Sequence, residues 1–377
     1  MVISQLVFSN QEFEDRLKRI REEMANKGLD VLLLTRPQNI YYASGFKASH
    51  FASQFSELHA MVIPREDEPR IMTRALEKEI VRMQWTKDPK LYMDHEDPYK
   101  VLVRMLQESG NLGKRMGIEE RFLTVRQFTR IRQSLPNVQF LDATGLVESV
   151  AANPSKAESE CMRSAAKITN VGFRRGIEEV REGVYPFEVI GEMHHAMYKE
   201  GQSDFDLSLV CVWSGQRGGR MHDTSTTEKI KKGDIVTIEI WGVHNQYKVG
   251  AQGSIYVGDN PPGDVIETYN MVADMFIKAR DAIRPGAMAG EIYDAANAVY
   301  RAVRGVDYYR RVGGSMGLTV FTIDLVKGRQ DVLKPGLSLL IQTLVDDPVL
   351  LTCSSTVMVT ENGFEELTFP LLKLKTA

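Results

Sequence analysis

The run Ile235-Val236-Thr237-Ile238-Glu239-Ile240 is β-branched and alternating, so it predicts a strand with one face in a core. Lys231-Lys232-Gly233-Asp234 makes a turn before it, and Ser254-Ile255-Tyr256-Val257 predicts a second strand that ends at Gly258. The two strands are expected to pair as a hairpin, with residues 241–253 as the connection. A carboxylate inside an apolar strand is costly unless it is paired or used. Glu239 is that carboxylate, and His222-Asp223 stands in a polar loop upstream of it. Whatever chemistry the chain performs is expected to be organised around this hairpin.

A length of 377 residues is long for one core, so two domains are expected. In the first half, Ser9-x-x-Glu12 opens a helix whose apolar face is Phe13, Leu17, Ile20 and Met24, and Gly28 stops it. Residues 30–35 (DVLLLT) predict a buried strand, and 60–63 with 70–73 predict a hairpin. Residues 98–109 and 124–134 predict helices, with strands at 116–118 and 138–141. This alternation predicts a three-layer α/β domain over residues 1–152. The break Ala151-Ala152-Asn153-Pro154 precedes a second capping box, Ser155-x-x-Glu158. Long helices, a strand at 207–213, the central hairpin, two more helices and strands at 337–342 and 355–359 predict an α+β domain over 153–377. Its sheet is expected to be curved and antiparallel, with helices outside.

Net charge is −3 and no basic block occurs, so nucleic acid is not an implied partner. No segment reaches the ~18 apolar residues of a membrane span, and no basic leader precedes an apolar run. A cytoplasmic protein is expected. The three cysteines are scattered without a CxxC pair, which suggests neither a disulfide framework nor a thiolate zinc site. No cofactor is implied.

Four stretches carry a family resemblance: RPQNIYYASGF (36–46), NPSKAESECMRSAAKIT (153–169), HDTSTTEKIKKGDIV (222–236) and VTENGFEELTFP (359–370). With them the chain resembles the creatinase and aminopeptidase P family, whose second domain has the "pita-bread" fold. The resemblance implies a creatinase-like α/β domain followed by a pita-bread domain. Metallopeptidases of the family bind two metals through two Asp, one His and two Glu. Those positions align here with Glu239, Gly250, Gly314, Gln342 and Ser354. One anionic donor of five remains, so the resemblance implies a member without the metal ligands and no metal is expected.

His222 aligns with the histidine that serves creatinase as general acid and base. An imidazole titrates near neutrality and can both give and take a proton. The glutamates that hold creatine's cation align with Gln252 and Gln342, both neutral, which implies a less cationic substrate. Glu239-Ile240-Trp241-Gly242 with Tyr247 also resembles the ectoine hydrolases, ring-opening members of the same fold. Asp223 can orient His222 or cap a turn, and Arg217 and Arg220 can clamp a substrate carboxylate or be a solvated loop. Arg310 and Arg311 carry the same alternatives. Phe55 aligns with a loop that reaches the partner's active site in creatinase-like dimers, so a homodimer is expected. Cys353, beside an aligned ligand position, is a further nucleophile candidate.

Two classes of function follow. One is a metal-independent hydrolase, or a lyase, acting on a C–N bond of a small amino-acid-like molecule. His222 and Glu239 would be its catalytic residues, and Phe55, Arg220, Asp223, Tyr247, Gln252 and Gln342 its substrate contacts. The other is a non-catalytic pita-bread binding module, as in histone-chaperone subunits of this fold.

Overall fold

The computed structural model of the chain describes residues 7–47, 58–108, 110, 114–203, 209–216, 218–219, 221 and 227–377. The chain divides into two compact units, Met1–Ala152 and Asn153–Ala377.

The first unit opens with α1 (Asn10–Asn26), capped by Ser9, whose hydroxyl accepts the Glu12 N–H. There follow β1 (Val31–Leu34), α2 (Pro37–Ser44), β2 (Ala60–Pro64), β3 (Arg70–Arg74), a 3-10 turn at Ala75–Glu77 and α3 (Lys78–Arg82). The unit closes with β4 (Lys90–Tyr92), α4 (Pro98–Glu108), β5 (Arg115–Ile118), α5 (Val125–Ser134), β6 (Gln139–Asp142) and α6 (Leu146–Ala151). Six strands form one mixed sheet in the order β4-β3-β2-β1-β5-β6. β1 is buried at all four positions, as a strand covered on both faces must be. Within the stretch 36–46 that carries part of the family resemblance, residues Pro37–Ser44 form the helix α2. Pro37 starts it with a pre-set φ, and Glu119, distant in sequence, holds the two backbone N–H groups that lead into it. The Glu119 carboxylate accepts the Thr35 N–H at 2.6 Å, the Arg36 N–H at 2.8 Å and the Asn39 side-chain N–H at 2.5 Å.

The second unit begins with α7 (Lys156–Glu179), opened by the reciprocal Ser155–Glu158 capping box. Then come α8 (Pro186–Lys199), β7 (Leu209–Gly215), β8 (Ile235–His244), β9 (Tyr247–Tyr256), α9 (Gly263–Asp281) and α10 (Ala289–Arg304). The end of the chain supplies β10 (Gly313–Met316), β11 (Ser338–Val345), β12 (Leu351–Thr360), β13 (Gly363–Glu366) and β14 (Lys375–Thr376). The main path of the sheet is β10-β11-β12-β9-β8-β7, with every pairing along it antiparallel.

β8 and β9 are longer than residues 235–240 and 254–257. They continue until only Asn245 and Gln246 are left as the turn, and both have positive φ, 49° and 73°. That is the backbone of a two-residue hairpin. The intervening glycines serve contacts rather than a loop. A Cβ on Gly242 would meet Thr169 Oγ1 of α7 at 2.5 Å.

Side chains alternate across a strand, so the register assigns each to a face. Ile238, Ile240, Val212 and Ala251 pack against Phe173, Met193 and Met197 of α7 and α8. Ile341, Cys353 and Val357 join the core formed with α9 and α10, which holds Val272, Met275 and Phe276. These residues share one face of the sheet by register. All four helices therefore cover one face. The other face carries the polar residues.

Candidate functional site

On the face turned from the helices, one row crosses five strands: Cys211, Glu239, Gln252, Ser354 and Gln342. Three residues from separate parts of the sequence, Glu239, Gln252 and Gln342, thus come together because three antiparallel pairings align them. The adjoining row holds Trp241 opposite Gly250, and Leu340 opposite Gly314.

Glu239 is 6% exposed. Burial pushes its carboxyl up to about 7, offset in part by a hydrogen bond from the Trp241 side chain and by the nearby charge of Arg310. A carboxyl that titrates near neutrality can accept or hold a proton during a reaction. Its neighbour Cys211 moves the other way as a nucleophile. Burial and the Glu239 charge push that thiol up to about 11, so it stays protonated.

Gln342 Nε2 donates to Gln252 Oε1 at 2.9 Å, and the Thr352 hydroxyl lies 2.9 Å from the same oxygen. The two glutamines reach across Ser354, which lies between them and is fully buried, its hydroxyl without a partner among the described residues.

Gly250 and Gly314 are filled by aromatic rings. A Cβ on Gly250 would lie 2.9 Å from Trp241 Cδ1, and a Cβ on Gly314 would collide with Phe321 Cδ1 and sit 2.8 Å from the Ile323 carbonyl oxygen. Trp241 and Phe321 face each other with ring centroids 6.2 Å apart. Phe321 has φ 55°, a conformation that a non-glycine residue rarely adopts. Its segment is held firmly. The Phe321 N–H bonds the Ser315 carbonyl at 2.7 Å, and the Ser315 hydroxyl accepts N–H groups from Thr322 and Ile323. Lys248 ties the same segment to β9 through the carbonyl oxygens of Gly317 and Leu318. Behind the ring, the Arg311 guanidinium stacks at 3.9 Å and pairs with Asp324 at 3.2 Å. Arg310 rests against the Met221 sulfur at 3.8 Å.

Two expectations change with this geometry. Tyr247 sits on the helix side, and its hydroxyl donates to Glu158 Oε1 of α7 at 2.7 Å. It braces the sheet and does not face the row of Glu239. Cys353 also points to the helix side, fully buried, and burial pushes its thiol up to about 12. It has no route to a substrate on the opposite face. Phe55, Arg217, Arg220, His222 and Asp223 lie outside the described residues. The wall residues Trp241 and Phe321 were not expected as site components. Trp241 was accessible to sequence logic, since two residues along a strand from Glu239 is the same face. Phe321 had no such signal.

Of the five positions aligned with metal ligands, Glu239, Ser354 and Gln342 lie in one row and Gly250 and Gly314 in the next. One carboxylate, one amide, one hydroxyl and two ring-filled glycines do not fit a two-metal centre. Among the described residues no three His, Cys, Asp or Glu side chains converge as a metal site. No helix among them is long and apolar enough to cross a membrane.

Comparison with known proteins agrees with this architecture. Residues 16–150 match the creatinase/prolidase N-terminal domain, and residues 160–361 match metallopeptidase family M24. The creatinase of Bacillus sp. (strain B-0618) is 25% identical over 304 residues, 78% of this chain and 72% of that protein. The Xaa-Pro dipeptidase of Pyrococcus furiosus is 24% identical over 359 residues, 94% of this chain and 98% of that one. The structure of a recombinant prolidase from Thermococcus sibiricus superposes with a TM-score of 0.87 at 20% identity, covering 97% of this chain and 99% of that one. This last likeness is one of fold.

Proposed function

Since the chain belongs to metallopeptidase family M24 and carries a creatinase/prolidase N-terminal domain, we propose that it is a hydrolase that cleaves a non-peptide C–N bond of a small amino-acid-like molecule without a metal. The observation that carries this is the exchange at the centre of the sheet. Positions that would hold metal ligands are closed by Trp241 and Phe321, while one titratable carboxyl, Glu239, stays buried beside them. A buried carboxyl is expensive to keep and an isosteric glutamine would be cheaper, so its retention favours a chemical role over a packing one.

In this mechanism His222 takes a proton from water as its oxygen bonds to the carbonyl or amidine carbon. The same imidazolium then returns the proton to the departing nitrogen as the C–N bond breaks. Glu239 holds the head group through hydrogen bonds that tighten as charge develops. Asp223 orients His222, Arg220 contacts the substrate, and Phe55 of a second copy reaches the site in a homodimer.

The test is His222→Ala, assayed on the substrate found by screening small C–N compounds. Turnover should fall by at least ~10²-fold, as usual for loss of general acid–base catalysis, with little change in Tm. Full turnover in that variant would overturn the catalytic assignment and favour a binding module.

A further inference from the structure

We infer that the Glu239–Gln252–Gln342 row selects a planar, uncharged ureido or carboxamide head carried on an anionic tail, and discriminates against the isosteric guanidino compound. The inference rests on the hydrolase proposal and names its substrate class.

The two glutamines together offer a ligand one donor group and one acceptor. Two amides bonded to each other leave one donor group and one acceptor unused, whichever way both are turned. Here Gln342 Nε2 and the Thr352 hydroxyl engage Gln252 Oε1. The Gln252 amide N–H₂ and the Gln342 carbonyl oxygen remain. Among the described residues neither makes a further bond. A ureide or carboxamide presents a carbonyl acceptor and N–H donors, and so meets this pair. A guanidinium presents donors only, and would set N–H against the Gln252 N–H₂.

Charge points the same way. Gln252 and Gln342 are neutral and offer no carboxylate to a cation. Arg310 acts electrostatically on Glu239. The Arg311 guanidinium already stacks behind the Phe321 ring at 3.9 Å, which weakens that ring's attraction for a second cation. The flat rings of Trp241 and Phe321 suit a planar neutral head instead. Arg310 makes no ion pair among the described residues, touches the Met221 sulfur and lies close enough for its charge to act on Glu239, so in this reading it receives the carboxylate tail.

Isothermal titration calorimetry on the intact chain tests this with a shape-matched pair, N-carbamoylglycine and guanidinoacetate. The ureido acid is expected to bind with a Kd at least ~10-fold lower, because a site built around specific hydrogen bonds strongly rejects an isostere that mismatches them. Gln342→Glu should reverse the preference. Phe321→Gly removes the ring and relieves the positive φ, so it should fold, and it should weaken N-carbamoylglycine at least ~5-fold. Equal or tighter binding of guanidinoacetate, or no binding of N-carbamoylglycine at millimolar concentration, overturns the inference. The readout is binding, so the two proposals separate. A ureido preference in a chain that turns over nothing keeps this inference and removes the hydrolase. A lost preference alongside a His222-dependent turnover does the reverse.

Discussion

Gln252 and Gln342 belong to strands that do not pair with each other, yet their side chains hydrogen-bond at 2.9 Å over the buried Ser354 of the strand between them. The serine is small because the amide bridge occupies the space above it. A glutamate in its place would have to push the bridge aside. Glu239 lies two strands further along the same row, so the row's charge is concentrated in one carboxyl whose neighbours within it, Cys211 and Gln252, are neutral.

That concentration makes a pH prediction. The Glu239 carboxyl titrates near 4.5 in an unfolded chain and about 7 in the folded one. The folded state therefore binds the extra proton between these values. The stability that this proton confers is fully present below 4.5 and is lost as pH rises through 7. Glu239→Gln is expected to raise stability at pH 8 by up to about 3 kcal/mol and to change it little at pH 4.5. Urea titrations of both proteins at the two pH values measure this. A gain of equal size at both would show that the carboxyl is not perturbed in the fold.

Glu119 is predicted to behave in the opposite way, though burial raises it to about 7 as well. Its two oxygens accept three N–H donors at the start of α2. Glu119→Gln replaces one acceptor by a donor that faces N–H groups. It should destabilise the first unit by about 1–3 kcal/mol, the cost of a buried donor left unsatisfied. Thermal unfolding followed by circular dichroism reports it, and an unchanged Tm would show that Glu119 does not hold the entry to α2.

Much of the site was legible from local pattern, and the rest depended on distant partners. The alternation of residues 235–240 placed Glu239 in a strand, and period-2 spacing implied the face. Residues 241–253 looked like a loop because Gly242, Gly250 and Gly253 interrupt the pattern. Each is glycine because something crowds it: Thr169 at Gly242, Trp241 at Gly250, Leu371 and Phe173 at Gly253. The partner of Tyr247 lies 89 residues away on α7, in a glutamate whose capping role was already evident. The α2 helix likewise needs a carboxylate more than 80 residues downstream. None of these contacts leaves a periodic trace in a single sequence.

Tyr247→Phe separates bracing from binding. Removing the hydroxyl leaves Glu158 Oε1 without its 2.7 Å partner inside the second unit. Stability should drop by about 1–2 kcal/mol. The Kd for any ligand of the site should stay within about twofold, since the hydroxyl points to α7. A large loss of affinity at constant stability would return Tyr247 to the substrate contacts.

The last prediction concerns the closed metal positions. Gly314 has no room for a Cβ while Phe321 is present, because the ring and the Ile323 carbonyl occupy that volume. Gly314→Ala should therefore destabilise by about 1–3 kcal/mol through overpacking. Phe321→Gly alone should cost less than an ordinary buried ring, since it relieves the φ of 55°. Combined with Gly314→Ala it should remove most of the clash, so the double-mutant cycle should show a coupling of at least about 1 kcal/mol. The same logic extends to ligands. A Gly250→Asp/Gly314→His chain should bind no Mn or Zn by elemental analysis while Trp241 and Phe321 remain, because the new donors cannot turn inward. An alanine at 314 that is tolerated with Phe321 in place, or a stoichiometric metal in that two-site variant, would show that the rings do not seal these positions.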